Sequence, residues 1–197
     1  MDLTSLIQSQ LSEGLIDQLS NQLGGVDKEK TTAATSSILT TLLGAMARNA
    51  STPDGAAALN NALENDHDGS ILDDVMGMVT GQRSIENERA VNGSGILNHV
   101  LGNRQGGAID MISKMSGLDA SKTGSLMTTL APIVMGMLGK AKREQGLDQG
   151  GLTDLLTGFT KQEQGRNPTM SLITGFLDAD GDGLAPARPA VVTRRRR

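Results

Sequence analysis

Residues 25–31 read Gly-Val-Asp-Lys-Glu-Lys-Thr, and residues 117–123 read Gly-Leu-Asp-Ala-Ser-Lys-Thr, 92 positions later. The match continues at that offset: Ile38 meets Leu130, Leu42 meets Val134, Gly44 meets Gly136, Met46 meets Leu138 and Arg48 meets Lys140. The apolar pairs recur at helical spacing, so they describe a shared helix face and not merely a shared composition. A chain that carries one design twice must bury the same face twice. We therefore expect two copies that pack on each other about a pseudo-twofold axis.

Each copy reads as helices. Leu3, Leu6, Ile7, Leu11, Leu15, Ile16, Leu19 and Leu23 form an amphipathic stripe, with Gly14 as a possible kink. Gly24-Gly25 supplies the left-handed conformation of a helix end, and Asp27 caps a second helix that runs to about Asn49. In the second half Ile96–Leu101 is a short helix, Gly102–Gly107 breaks it, and residues 108–115 resume. Asp119 caps a long helix to about Glu144, which Pro132 is expected to interrupt and kink.

A second pairing falls at a longer offset. Thr52-Pro53 and Asn167-Pro168 each open a short helix as cap and first residue. Both helices lead into acidic loops, Leu63–Gly69 and Leu177–Gly183, and the difference in offset implies an insert at about 145–166. The first loop continues into a helix from Ile71 to about Thr80, whereas the second runs into a Pro- and Arg-rich tail. No segment alternates with period two, so no sheet is expected. The expected organisation is all-α, a duplicated multi-helix bundle. Residues 1–81 form a first helical repeat and 82–94 a linker. Residues 95–183 form a second repeat with an inserted helix near 148–160, and 184–197 a disordered tail.

Composition narrows the core. Phe159 and Phe176 are the only aromatic residues, and Cys is absent, which removes disulfides and thiol chemistry. The core must come from Leu, Ile, Val, Ala and ten Met residues, which pack adaptably. The N-terminus has no basic stretch of the secretory kind, and the apolar run Leu130–Leu138 is too short to span a bilayer, so we expect a soluble, cytoplasmic protein. Net charge is −4, although the last ten residues hold five Arg and no acid. The rest of the chain is therefore more acidic still and unsuited to neutralising phosphates, which leaves the Arg194–Arg197 tail as the one route to nucleic acid or another anionic partner.

Several motifs occur in a fixed order: GSILDDV after an acidic His-Asp turn, GSGILNHVLG, the Gly-Leu-Asp cap, LAPIVMGMLGKAKREQGL and FLDADGDG. Over residues 1–183 they resemble a bacterial domain-of-unknown-function family of duplicated all-helical proteins, distantly similar to YidB. The resemblance implies a duplicated helical fold and supplies no catalytic residues. The chain departs from the pattern after the second loop, where Leu184-Ala185-Pro186-Ala187 replaces the expected helix.

The acidic loops are the candidate metal sites. An EF-hand loop needs oxygen ligands at alternate positions, Gly at the sixth and a bidentate Glu at the twelfth. Asp178, Asp180, Asp182 and Gly183 satisfy the first half, but Pro189 holds the twelfth position. Glu64, Asp66, Asp68 and Gly69 do the same in the first loop, with Val75 at the twelfth. A helix-to-helix turn is the favoured reading of both; calcium binding, in the class of about 10⁻⁴–10⁻³ M, is the alternative, and no other cofactor is expected. His67, between two acids, reads as an exposed turn histidine before it reads as a general base, and His99 as a packing or helix-end residue. No catalytic set emerges. The expected function is non-enzymatic: a helical interaction or scaffold protein that self-associates or binds a protein partner. A calcium-responsive module is the alternative, and a hydrolase using His67 is the remotest.

Overall fold

The structure is a computed structural model, and it describes residues 7, 12–80, 88–166 and 168–178. Among them every regular element is helical and no strand occurs. In chain order these are α1 (Glu13–Gln22), α2 (Lys28–Asn49), α3 (Pro53–Asn65), a 3-10 turn (Ser70–Asp74), α4 (Val75–Thr80), a second 3-10 turn (Glu88–Val91), α5 (Gly93–Leu101), a third (Gly102–Arg104), α6 (Gln105–Ser116), α7 (Ala120–Gln145), α8 (Gln149–Arg166) and α9 (Pro168–Asp178).

Short-range chemistry sets most boundaries. The Ser12 hydroxyl accepts from the Leu15 amide at 3.3 Å and opens α1. Gly24 and Gly25, at φ +86° and +74°, then close it, because side-chain-bearing residues rarely tolerate that conformation. Asp27 accepts from the Glu29 amide at 2.9 Å to begin α2, and Asp119 accepts from the Lys122 amide at 2.9 Å to begin α7. Thr52 accepts from Gly55, with Pro53 in the first helical turn of α3.

Two helices form the centre. From Ile38 to Ala47 in α2 and from Leu130 to Gly139 in α7, every residue is buried, which marks a helix surrounded on all sides. They pack on each other. Around them, α2 also meets α1, α5, α6, α8 and α9, while α7 meets α3, α5, α6 and the first 3-10 turn. Three threonines in this interior donate their hydroxyls to the carbonyl one turn back, Thr31 to Asp27, Thr41 to Ser37 and Thr123 to Asp119, whereas the buried Thr35 hydroxyl has no partner among the described residues. The core is otherwise aliphatic and Met-rich, as the near absence of aromatics requires.

Two local expectations change. Helix α7 continues through Pro132 and is not interrupted there. Proline has no N–H to give the Thr128 carbonyl, and Gly93 of α5 packs directly on that oxygen; a Cβ at Gly93 would overlap it. The break after α5 is also shorter than expected. Only Gly102–Arg104 leaves the α-helix, and α6 begins at Gln105. The segment 82–94 is described only from residue 88, where a 3-10 turn leads into α5 with Gly93 buried. The extra helix expected near 148–160 corresponds in position to α8, which extends to Arg166 and buries Leu152, Leu156 and Phe159. The tail 184–197 lies outside the described residues.

Candidate functional site

A cluster of ionisable side chains lies where the first acidic loop meets the C-terminal half of α7. Helix α3 ends with the Asp66 and His67 amides both donating to the Ala62 carbonyl, at 3.0 and 3.1 Å. The Asp68 carboxylate accepts from the Ser70 amide at 2.9 Å, and Gly69, at φ +94°, reverses the chain. The Leu72 amide then donates to the Gly69 carbonyl, and the 3-10 turn leads into α4.

Glycine permits this segment to lie directly on α7. A Cβ on Gly139 would overlap the His67 carbonyl oxygen, and one on Gly136 would overlap the Ile71 side chain. From the opposite side, a Cβ on Gly69 would lie 2.8 Å from the Lys140 Cβ. Gly136 and Gly139 are one helical turn apart, so they make a notch on one face of α7 that receives the loop backbone.

Charges border the notch. Lys142 donates to Glu64 Oε1 at 2.7 Å, and its side chain is only 13% exposed. This hydrogen bond holds the Glu64 carboxyl below the usual glutamate range. The hydrogen bond from the Ser70 amide, helped by Arg143 at 3.7 Å, does the same for Asp68. Two of the three acids singled out in this loop thus face protein cations. Among the described residues no group of three or more His, Asp or Glu side chains is arranged to hold a metal ion. In the second loop, Asp178 is the last described residue of α9, and Asp180 and Asp182 lie outside the described residues.

His67 departs from expectation. It is 6% exposed, not a solvated turn residue, and its Nδ1 is buried without a hydrogen-bond partner. Burial pushes its pKa down, against a smaller opposing pull from the Asp66 charge. A general base must reach a substrate proton, and this nitrogen does not reach solvent. His99 lies exposed in the last turn of α5, as a helix-end histidine does. The local sequence around His67 is polar and conceals its burial. The signal that locates it is the Gly136/Gly139 spacing in another helix.

Fold and site together define an all-helical protein with two enclosed central helices, one of which carries a glycine notch closed by an acidic turn. No helix among the described residues is long and apolar enough to cross a membrane. The chain belongs to the bacterial family described as bacterial protein of unknown function (DUF937), whose model matches residues 5–141. The match includes the acidic turn and the notch and ends before Lys142, so α8 and α9 lie beyond it. Searches of curated proteins and of solved structures returned no match.

Proposed function

We propose that this is a non-enzymatic helical interaction protein that associates with copies of itself and acts in the cytoplasm. The observation that supports it is Leu172 on α9, a large apolar side chain left 63% exposed while Ile173 beside it is fully buried. With Ile173 seated in the core, Leu172 is an apolar side chain this helix has available for an outward contact. Size-exclusion chromatography with light scattering tests it. We expect a species heavier than the 20.5 kDa chain that Leu172→Glu shifts toward monomer; a strict monomer at high concentration overturns it.

The reading includes an internal duplication, and with it the likeness to YidB. Its support is positional. Helices α1 and α2 start at Glu13 and Lys28, and α6 and α7 start at Gln105 and Ala120, each pair at the 92-residue offset of the sequence match. Helices α3 and α9 both open on proline, and each packs on the central helix of the opposite half.

The second reading is calcium binding by Asp178, Asp180 and Asp182. It is favoured by the sequence spacing of these three acids ahead of Gly183, which matches the first half of an EF-hand loop. Heat on calorimetric titration with millimolar calcium, lost in Asp180→Ala, is its expected result; no heat removes it. The Arg194–Arg197 tail is the one segment suited to an anionic partner.

A further inference from the structure

We propose that residues 66–74 are an acid-released latch on α7, held in the Gly136/Gly139 notch while the His67 ring is neutral and let go when that ring takes up a proton. The argument starts from geometry. The His67 carbonyl faces Gly139 at the floor of the notch, so its backbone cannot shift without undocking the turn. Its ring is buried, and Nδ1 has no partner. A neutral imidazole tolerates one unpartnered acceptor nitrogen. An imidazolium carries a donor on both nitrogens and a full charge, which is far costlier to leave buried and unpaired.

The surrounding charges do not rescue the protonated ring. On α3 Glu64 is bonded to Lys142, and in the turn Asp68 is engaged by Ser70 and Arg143. Among the described residues the Asp66 charge favours protonation of His67, and burial outweighs it. From α7 the packed segment presents Lys140, Lys142 and Arg143, which oppose a further positive charge, and Glu144, which lies 4.0 Å from Lys140. The 3-10 turn carries two acids, Asp73, which is exposed, and Asp74 after it, and α4 carries no titratable residue. Glu64 and Asp68, both held below the usual carboxylate range, stay charged while a histidine titrates. Their ion pairs to α7 are therefore not what lets go in that window.

The sign follows from linkage. The released ring titrates near the ordinary value of about 6.5, and the docked ring lower. Above about pH 6.5 both forms are neutral and the latch is insensitive to pH. Below it the released form binds the proton first, so the opening constant rises by up to about tenfold per pH unit until the docked ring protonates as well. Opening would uncover Gly139, now under the His67 backbone, and Gly136, now under Ile71 and Leu72.

The test is NMR on the full chain, which has only two histidines. Between pH 7.5 and 5 we expect His67 to titrate below the ordinary histidine value of about 6.5. We also expect amide-exchange protection factors at residues 67–75 to fall as pH drops through this range while those of α2 hold, and His67→Gln to flatten that fall. Unchanged protection of 67–75 across the pH range in which the His67 ring titrates, or an equal fall in His67→Gln, would each overturn the proposal. If His67→Gln fails to fold, the wild-type titration and exchange profile decide alone.

Discussion

At the scale of single residues, the informative glycines are those whose missing Cβ makes room for another backbone. Gly139→Ala would drive a methyl group into the His67 carbonyl, a rigid neighbour that cannot swing aside. We expect a loss of about 1–3 kcal/mol, measured by urea unfolding, as for other overpacked sites. Gly158, exposed in α8, is the control: a Cβ there meets nothing within 4 Å. Gly158→Ala should stabilise the protein by about 0.5–1 kcal/mol, through helix propensity and a less flexible unfolded chain. Equal effects of opposite-signed expectation, such as two neutral substitutions, would mean that the turn does not rest on α7 as described. The same contrast explains the misreading of His67. Its sequence neighbours, Asp66, Asp68 and Gly69, are those of a solvated turn, and what buries it is α7, more than sixty positions away.

At the scale of elements, caps were the most legible feature. Asp27, Asp119 and Thr52-Pro53 each open a helix where expected, because a cap is a contact between residues two or three apart and needs no knowledge of the fold. The Pro132 expectation failed for the converse reason. Local chemistry removes one hydrogen bond from α7, but the neighbouring α5 brings Gly93 onto the Thr128 carbonyl, and the helix runs on. Gly93→Ala should therefore act on both helices, lowering amide-exchange protection in α5 and in α7 around Thr128; a change confined to α5 would argue against the contact. Burial also ranks the elements. The segments Ile38–Ala47 and Leu130–Gly139 should exchange most slowly of all, near the global unfolding limit, and α9 faster. Slowest exchange in α8 or α9 would contradict a centre made of α2 and α7.

At the scale of the molecule, the family match and the packing divide the chain differently. The match ends at residue 141, yet α8 and α9 contribute Leu152, Leu156, Phe159, Ile173 and Leu177 to the same core. Truncation after Gln145 should thus lower cooperativity and thermal stability, read as a broadened calorimetric transition, and not simply remove an appendage; an unchanged transition would show the last two helices to be dispensable. The chain has only two Phe rings and no Trp or Tyr, and Phe176 lies against Gly107 so closely that a Cβ there would come within 2.8 Å of the ring. With so few rings, a proton shifted by ring current has few possible sources. The α-protons of Gly107 thus serve as a built-in reporter of whether α9 is seated on α6, readable in a proton spectrum without any label, and silent the moment the C-terminal helix lifts away.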